Sequence, residues 1–246
     1  MPTYVSLFLL CCLLCISSNL SGQQYGYKTK LISISTARPL KAKQGFIHTI
    51  NGILYEAEVG LTSFLSVGVG GNMIADRAVY RMSFGSNDRS NAGWGVKTKL
   101  AFPVGKFVFL GVGTHLLFND YRFEEKKFNH ITTGLLSIDL FGVQLDFGGG
   151  FMSRIDLANE EKPYTIFTIG AIIPIWKERL FLISENSKLG FVTNHTDDGF
   201  IISASLVLRW HYKQFSLEGG AIRRIVEDGD GTFAELNPTG GLRFFF

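Results

Sequence analysis

Along most of the chain, hydrophobic and polar residues alternate one by one. Phe200, Ile202, Ala204, Leu206, Leu208 and Trp210 fall on one face of an extended strand, and Ser203, Ser205, Arg209 and His211 on the other. Trp94, Val96, Leu100 and Phe102 likewise oppose Gly95, Lys97, Lys99 and Ala101, and Phe141, Val143, Leu145, Phe147 and Phe151 oppose Gln144, Asp146, Gly148 and Gly150. This period of two predicts about twelve strands. They are Lys28–Ser35, Phe46–Gly60, Ser63–Met73, Gly93–Phe102, Lys106–Phe118, Phe128–Leu140, Phe141–Ser153, Tyr164–Ile175, Arg179–Ile183, Gly199–Tyr212, Gln214–Ile225 and Glu235–Phe246. The first, eighth and ninth alternate poorly.

The connections sort into two kinds. Tight junctions are expected at Leu61-Thr62, Pro103–Gly105, Leu140-Phe141, Trp176–Glu178 and Tyr212-Lys213. Longer polar segments are expected at Thr36–Gln44, Ile74–Ala92, Asn119–Lys127, Arg154–Pro163, Ser184–Asp198 and Val226–Ala234. Short and long alternate, as they do in transmembrane barrels, whose turns are periplasmic and whose loops are extracellular. A Greek-key sandwich has no reason to segregate its connections this way. Aromatic residues gather beside both kinds. Phe64, Phe102, Phe107, Phe141, Trp176, Trp210, Tyr212, Phe215 and Phe246 lie near the turns. Tyr80, Trp94, Phe118, Tyr121, Phe128, Phe151, Tyr164, Phe191 and Phe200 lie near the loops. Two belts at the lipid–water boundaries follow.

The closing segment Thr239-Gly240-Gly241-Leu242-Arg243-Phe244-Phe245-Phe246 sharpens the reading. It resembles the last strand of outer-membrane β-barrel proteins of Gram-negative bacteria, including porin-like members. Their pattern runs polar–x–Gly–x–x–aromatic–x–aromatic, and Thr239, Gly241, Phe244 and Phe246 match it. The resemblance implies an all-β fold, a transmembrane antiparallel up-and-down β-barrel; the alternation and the length give it about twelve strands, with ten to fourteen left open by the poorly patterned Gln23–Gly45. The resemblance also implies that the C-terminal strand is read by the barrel-insertion machinery, with outer-membrane lipid as the other partner.

Composition and the start of the chain fit this picture. Hydrophobic residues make up 46% of the sequence, yet no later stretch is long enough for a spanning helix, which needs about 20 apolar residues. A barrel needs none, because only alternate residues meet lipid. Val5–Ile16 is a continuous apolar run followed by Ser17, Ser18, Ser21 and Gly22, so residues 1–22 are expected to be a signal peptide and 23–246 the barrel. No Lys or Arg precedes the run. Its Cys11, Cys12 and Cys15 are all the cysteines of the chain, so the mature protein would hold no disulfide and no thiolate metal site. Leu10 and Leu14, before Cys11 and Cys15, disfavour a lipid anchor there. The net charge of +3 comes from scattered residues, with no basic cluster to follow a nucleic-acid backbone.

With the apolar faces turned to lipid, the lumen receives Glu56, Glu58, Lys97, Lys99, Asp139, Gln144, Asp146, Arg209, His211, Glu218, Arg224, Glu235 and Arg243. Both signs are present, so the set either lines a narrow aqueous path for small solutes or pairs into a plug. Other chemistry is weakly marked. Asp228-Gly229-Asp230-Gly231 lacks the closing glutamate of a calcium loop and reads as a hairpin tip. Gly68-Val69-Gly70-Gly71 and Gly148-Gly149-Gly150 precede no helix that could bind a nucleotide. His48, His115, His130, His195 and His211 show no metal-ligand spacing. A lipid-modifying enzyme would need Ser and His meeting near an aromatic belt, and His130 and Ser137 stand too far apart along one strand. The sequence therefore predicts no catalytic, cofactor or metal site. The expectation is a narrow channel or structural barrel; a lipid-modifying enzyme and a surface-loop binding or adhesion protein are the alternatives.

Overall fold

A computed structural model describes residues 35–51, 54–72, 93–119, 127–155, 164–177, 179–191, 200–228 and 231–246. The described residues form twelve strands: β1 (Gly45–Ile50), β2 (Leu54–Gly60), β3 (Leu65–Asn72), β4 (Gly93–Pro103), β5 (Val108–Asn119), β6 (Lys127–Leu140), β7 (Val143–Ile155), β8 (Tyr164–Trp176), β9 (Leu180–Phe191), β10 (Phe200–Tyr212), β11 (Phe215–Asp228) and β12 (Gly231–Phe245). Each pairs antiparallel with its sequence neighbour, and β12 closes on β1 to complete an up-and-down barrel. Closure is sealed by reciprocal backbone bonds: Gly45 N–H donates to the Phe246 carbonyl at 2.9 Å and Phe246 N–H to that of Gly45 at 3.0 Å. A closed ladder leaves no edge along the paired stretch, which is what lets strands cross lipid.

Five short turns and the C-terminus share one end of the barrel, called here the turn end; the other, the loop end, takes the longer connections together with the short ones after Ile50 and Asp228. At the turn end Phe141 and Gly142 both take positive φ, 52° and 87°, the geometry of a two-residue hairpin turn whose twist matches its strands. Outward-facing Phe64, Phe102, Phe107, Phe141, Trp176, Trp210, Tyr212 and Phe215 are exposed around this end. Phe64 stacks on Phe102 and Trp210 on Tyr212, at 5.7 and 5.8 Å between centroids.

Three expectations about the strands and their connections need correction, and others lie outside the described residues. Phe46–Gly60 is not one strand but the β1–β2 hairpin, turning at Asn51 with φ 53°. His48 pairs with Glu56 and Phe46 with Glu58 across it, so the unbroken alternation ran through a turn. Lys28–Ile34 lies outside the described residues, as do Ile74–Ala92 and much of the other loops. Thr36–Gln44 is not a loop-end connection: it leads into β1 from the turn end, tied to β2 by Lys43 N–H donating to the Gly60 carbonyl and Gly60 N–H to that of Gln44, both 2.8 Å. Strands β9, β11 and β12 also run further toward the loop end than expected. Ser184–Ser187 and Glu227–Asp228 are polar on both faces there, which hides a strand's period.

Candidate functional site

Inside the barrel, the lumen at the turn end is filled. Leu40 from the segment before β1 packs with Phe46, Phe245, Phe181, Ile183, Ile172 and Val207, each at most 2% exposed. Each strand residue in this cluster sits at the position its pleat turns inward. Ala37 is also buried, and its N–H donates to Ser137 Oγ at 2.8 Å. Small-domain barrels fill their interior with side chains in this way, whereas porins leave a channel.

Above and around this apolar layer lie three charged groups. In the first, the Glu218 carboxylate is shared: Arg209 Nε donates to Oε1 at 2.7 Å, Arg243 approaches the same oxygen at 3.1 Å, and His48 Nε2 lies 3.4 Å from Oε2. Adjacent registers make this possible, since Arg209 is opposite Glu218 and Arg243 opposite His48. Gly241 is required beside them; a Cβ there would stand 2.8 Å from the Thr49 carbonyl oxygen and 3.2 Å from His48 Nε2. In the second group Lys97 bridges Glu56 and Glu58, Lys99 reaches Glu58 at 3.3 Å, and Ser66 Oγ donates to Glu58 at 2.7 Å. In the third, Arg38 pairs with Asp139 while its guanidinium covers the Phe109 ring at 4.1 Å. Beside it Asp146 accepts from Ser137 Oγ, and from Gln144 Nε2 at 3.0 Å to each oxygen. Lys99 links the second and third groups by donating to the Arg38 carbonyl at 3.1 Å.

Of the residues expected in the lumen, Glu56, Glu58, Lys97, Lys99, Asp139, Asp146, Arg209, Glu218 and Arg243 are thus placed in these groups. Arg224 is not. It shares the lumen register, opposite Ser203 and Glu235, but lies exposed toward the loop end. At the C-terminus Thr239 is buried and Phe244 and Phe246 face outward, the Phe244 ring 5.1 Å from Phe215 and 6.5 Å from Phe246. His48 and Arg38 were not anticipated. His48 shares its face with Phe46 and Ile50, and its partner register depended on a turn the pattern concealed; Arg38 sat in a presumed loop.

Over the charged floor the lumen opens into a cavity of about 420 Å³. Lys97, Lys99, His48, Glu56 and His115 line its lower part, with Tyr55, Thr133, Thr168 and Ser187 around it and Ile131, Leu135 and Ile166 on one flank. The arrangement is a cup: sealed at the turn end, mixed polar and apolar within.

The outer wall carries a second feature. His130 and Ser137 are seven positions apart on β6 and face opposite ways, Ser137 into the lumen and His130 outward. His130 Nε2 lies 2.9 Å from Thr114 Oγ1 and 3.1 Å from Thr132 Oγ1.

No family model matches the chain, and no curated protein matches it. Among solved structures the barrel is similar to LpxR from Salmonella typhimurium, with 11% sequence identity and a TM-score of 0.50, over 82% of this chain and 100% of that one. At that identity the likeness is one of fold. A closed antiparallel barrel of twelve described strands, apolar outside and belted with aromatics, is an outer-membrane β-barrel.

Proposed function

We propose that the protein is a non-enzymatic outer-membrane barrel that does not conduct at rest and presents a small cup toward the cell exterior. In this reading the turn end and C-terminus face the periplasm and the loop end faces outward, as the asymmetry of the connections supports. The chain reaches a Gram-negative outer membrane by signal-directed export and is inserted through Thr239, Gly241, Phe244 and Phe246. The observation that carries the reading is the seal: Arg209, Arg243, Phe46 and Phe181 are 0–1% exposed where an open pore would have water. The charged lumen set then acts as a neutralised floor, because buried charges are tolerable only when paired. The cup above it suits a small solute carrying both polar and apolar groups. Conductance of the purified full chain in planar bilayers tests this. Silence at all voltages is expected; stable unitary steps would overturn it.

A second reading is an outer-membrane lipid-modifying enzyme. It is favoured by the outward His130, whose Nε2 stands beside the hydroxyls of Thr114 and Thr132. Lipid breakdown by the same silent preparation would move the assignment to this class.

A further inference from the structure

The wall formed by β5, β6 and β7 carries polar side chains on its outer face, as β9 does at Ser184 and Asn186, and here they stand beside an apolar groove. Thr98, Thr114 and Thr132 stand side by side in register across β4–β6, facing outward among Trp94, Val96, Leu116 and Phe151. His130 lies two residues along from Thr132, and Ser153 is directly opposite it on β7. Polar side chains on a lipid-facing wall are costly away from the interface and mark a function where they cluster. The cluster's level in the bilayer can be worked out. Ten residues of β6 separate Leu140, at the turn end, from His130. They make about 33 Å of strand, which a tilt of about 40° projects to about 25 Å, the height of the apolar band. His130 therefore lies where acyl chains give way to their ester linkages.

Immediately below, toward the turn end, the wall is indented. Gly134 and Gly149 face each other outward, and a Cβ on Gly134 would find only the Gly149 carbonyl oxygen, at 3.7 Å. A groove of about 590 Å³ follows, bordered by Val112, Leu110, Leu136, Phe147 and Phe102. From His130 to Leu136 is about 20 Å of strand, which the same tilt projects to about 15 Å, about half the thickness of a hydrocarbon core and so the depth of one leaflet.

We propose that this wall is a binding site for one outer-leaflet lipid. An acyl chain lies in the Gly134–Gly149 groove, and its ester carbonyl is met by the hydroxyls and imidazole of Thr114, Thr132 and His130. The occupant is an acyl lipid rather than a protein partner because the groove is apolar, lies within the lipid-facing band and ends at hydrogen-bonding groups set at ester depth. The site is on the opposite face of the wall from the cup and stands whether or not the cup binds a solute.

Native mass spectrometry tests it, with the full chain in detergent mixed with a lipid extract of Gram-negative outer membrane. The wild type should retain a single lipid of defined mass. Gly134→Leu, which fills the groove with its Cβ only in ordinary contact with the Gly149 carbonyl oxygen, should lower retention at least tenfold, and His130→Ala should lower it several-fold. Gly219→Leu, where a Cβ also meets open space on a distant strand, should retain lipid as the wild type does. Heat-dependent electrophoretic mobility verifies that each variant is a folded barrel. His130-dependent release of free fatty acid would support the site and add turnover to binding. Equal retention by the wild type and Gly134→Leu, or unselective lipid adducts on all four proteins, would overturn the proposal.

Discussion

Glu218→Ala is the most informative single change to the barrel interior. The carboxylate sits within hydrogen-bonding or ion-pair distance of Arg209, Arg243 and His48, and both arginines are 0% exposed. Removing it takes from two adjacent buried guanidiniums the carboxylate they share. Breaking one buried ion pair costs about 3–5 kcal/mol, which is about two to three and a half powers of ten in the unfolding equilibrium. Urea unfolding of the barrel in large vesicles, followed by tryptophan fluorescence, should show that loss. Arg243→Ala in the same background removes one of the two adjacent cations, so the double variant should be less destabilised than the sum of the singles by about 1–3 kcal/mol. A cost below about 1 kcal/mol for Glu218→Ala, the range of exposed pairs, would refute the claim that the floor is dry. So would strict additivity of the two changes.

Three further outcomes are expected. Gly150→Ala and Gly220→Ala should prevent barrel formation, since the new methyl would run into the carbonyl oxygens of Thr132 and Leu206, while Gly219→Ala folds normally; heat-modifiable migration on gels distinguishes them. Phe46→Ala should cost about 3–5 kcal/mol in the urea assay, as truncating a fully buried aromatic does. Lys97→Glu combined with Lys99→Glu should destabilise the barrel by placing like charges beside Glu56 and Glu58, yet leave planar bilayers silent, because the apolar layer remains.

The barrel class was legible because lipid outside and packed side chains inside impose a strict period of two, clearest in Phe200–Trp210. What the period hides is a turn that preserves it. Asn51 reverses the chain within Phe46–Gly60, so the partner of Arg243 was not readable and His48 went unnoticed. Polarity alone misled at Ser184–Ser187, where inward Glu185 and Ser187 follow inward Phe181 and Ile183 on the same strand face. Thr36–Gln44 looked like any polar loop; only its contacts with Ser137, Asp139 and Lys99 show that it packs into the barrel. The charges of the lumen were visible as a set, but which carboxylate meets which cation depends on register, and register comes from pairing rather than composition.

Closure of the lumen is tested most directly by thiol accessibility. The only cysteines are Cys11, Cys12 and Cys15, within the expected signal peptide, and the unaltered chain treated with the same reagent is the blank for single substitutions elsewhere. Thr168→Cys and Ser187→Cys would report from the cup, and Ser216→Cys from the fully buried turn-end layer. A membrane-impermeant maleimide applied to intact cells should label the two cup variants and spare Ser216→Cys. Presented only from the periplasmic side, it should label none of the three. Labelling of Thr168→Cys from the periplasm would mean a continuous aqueous path through the barrel and would contradict the account.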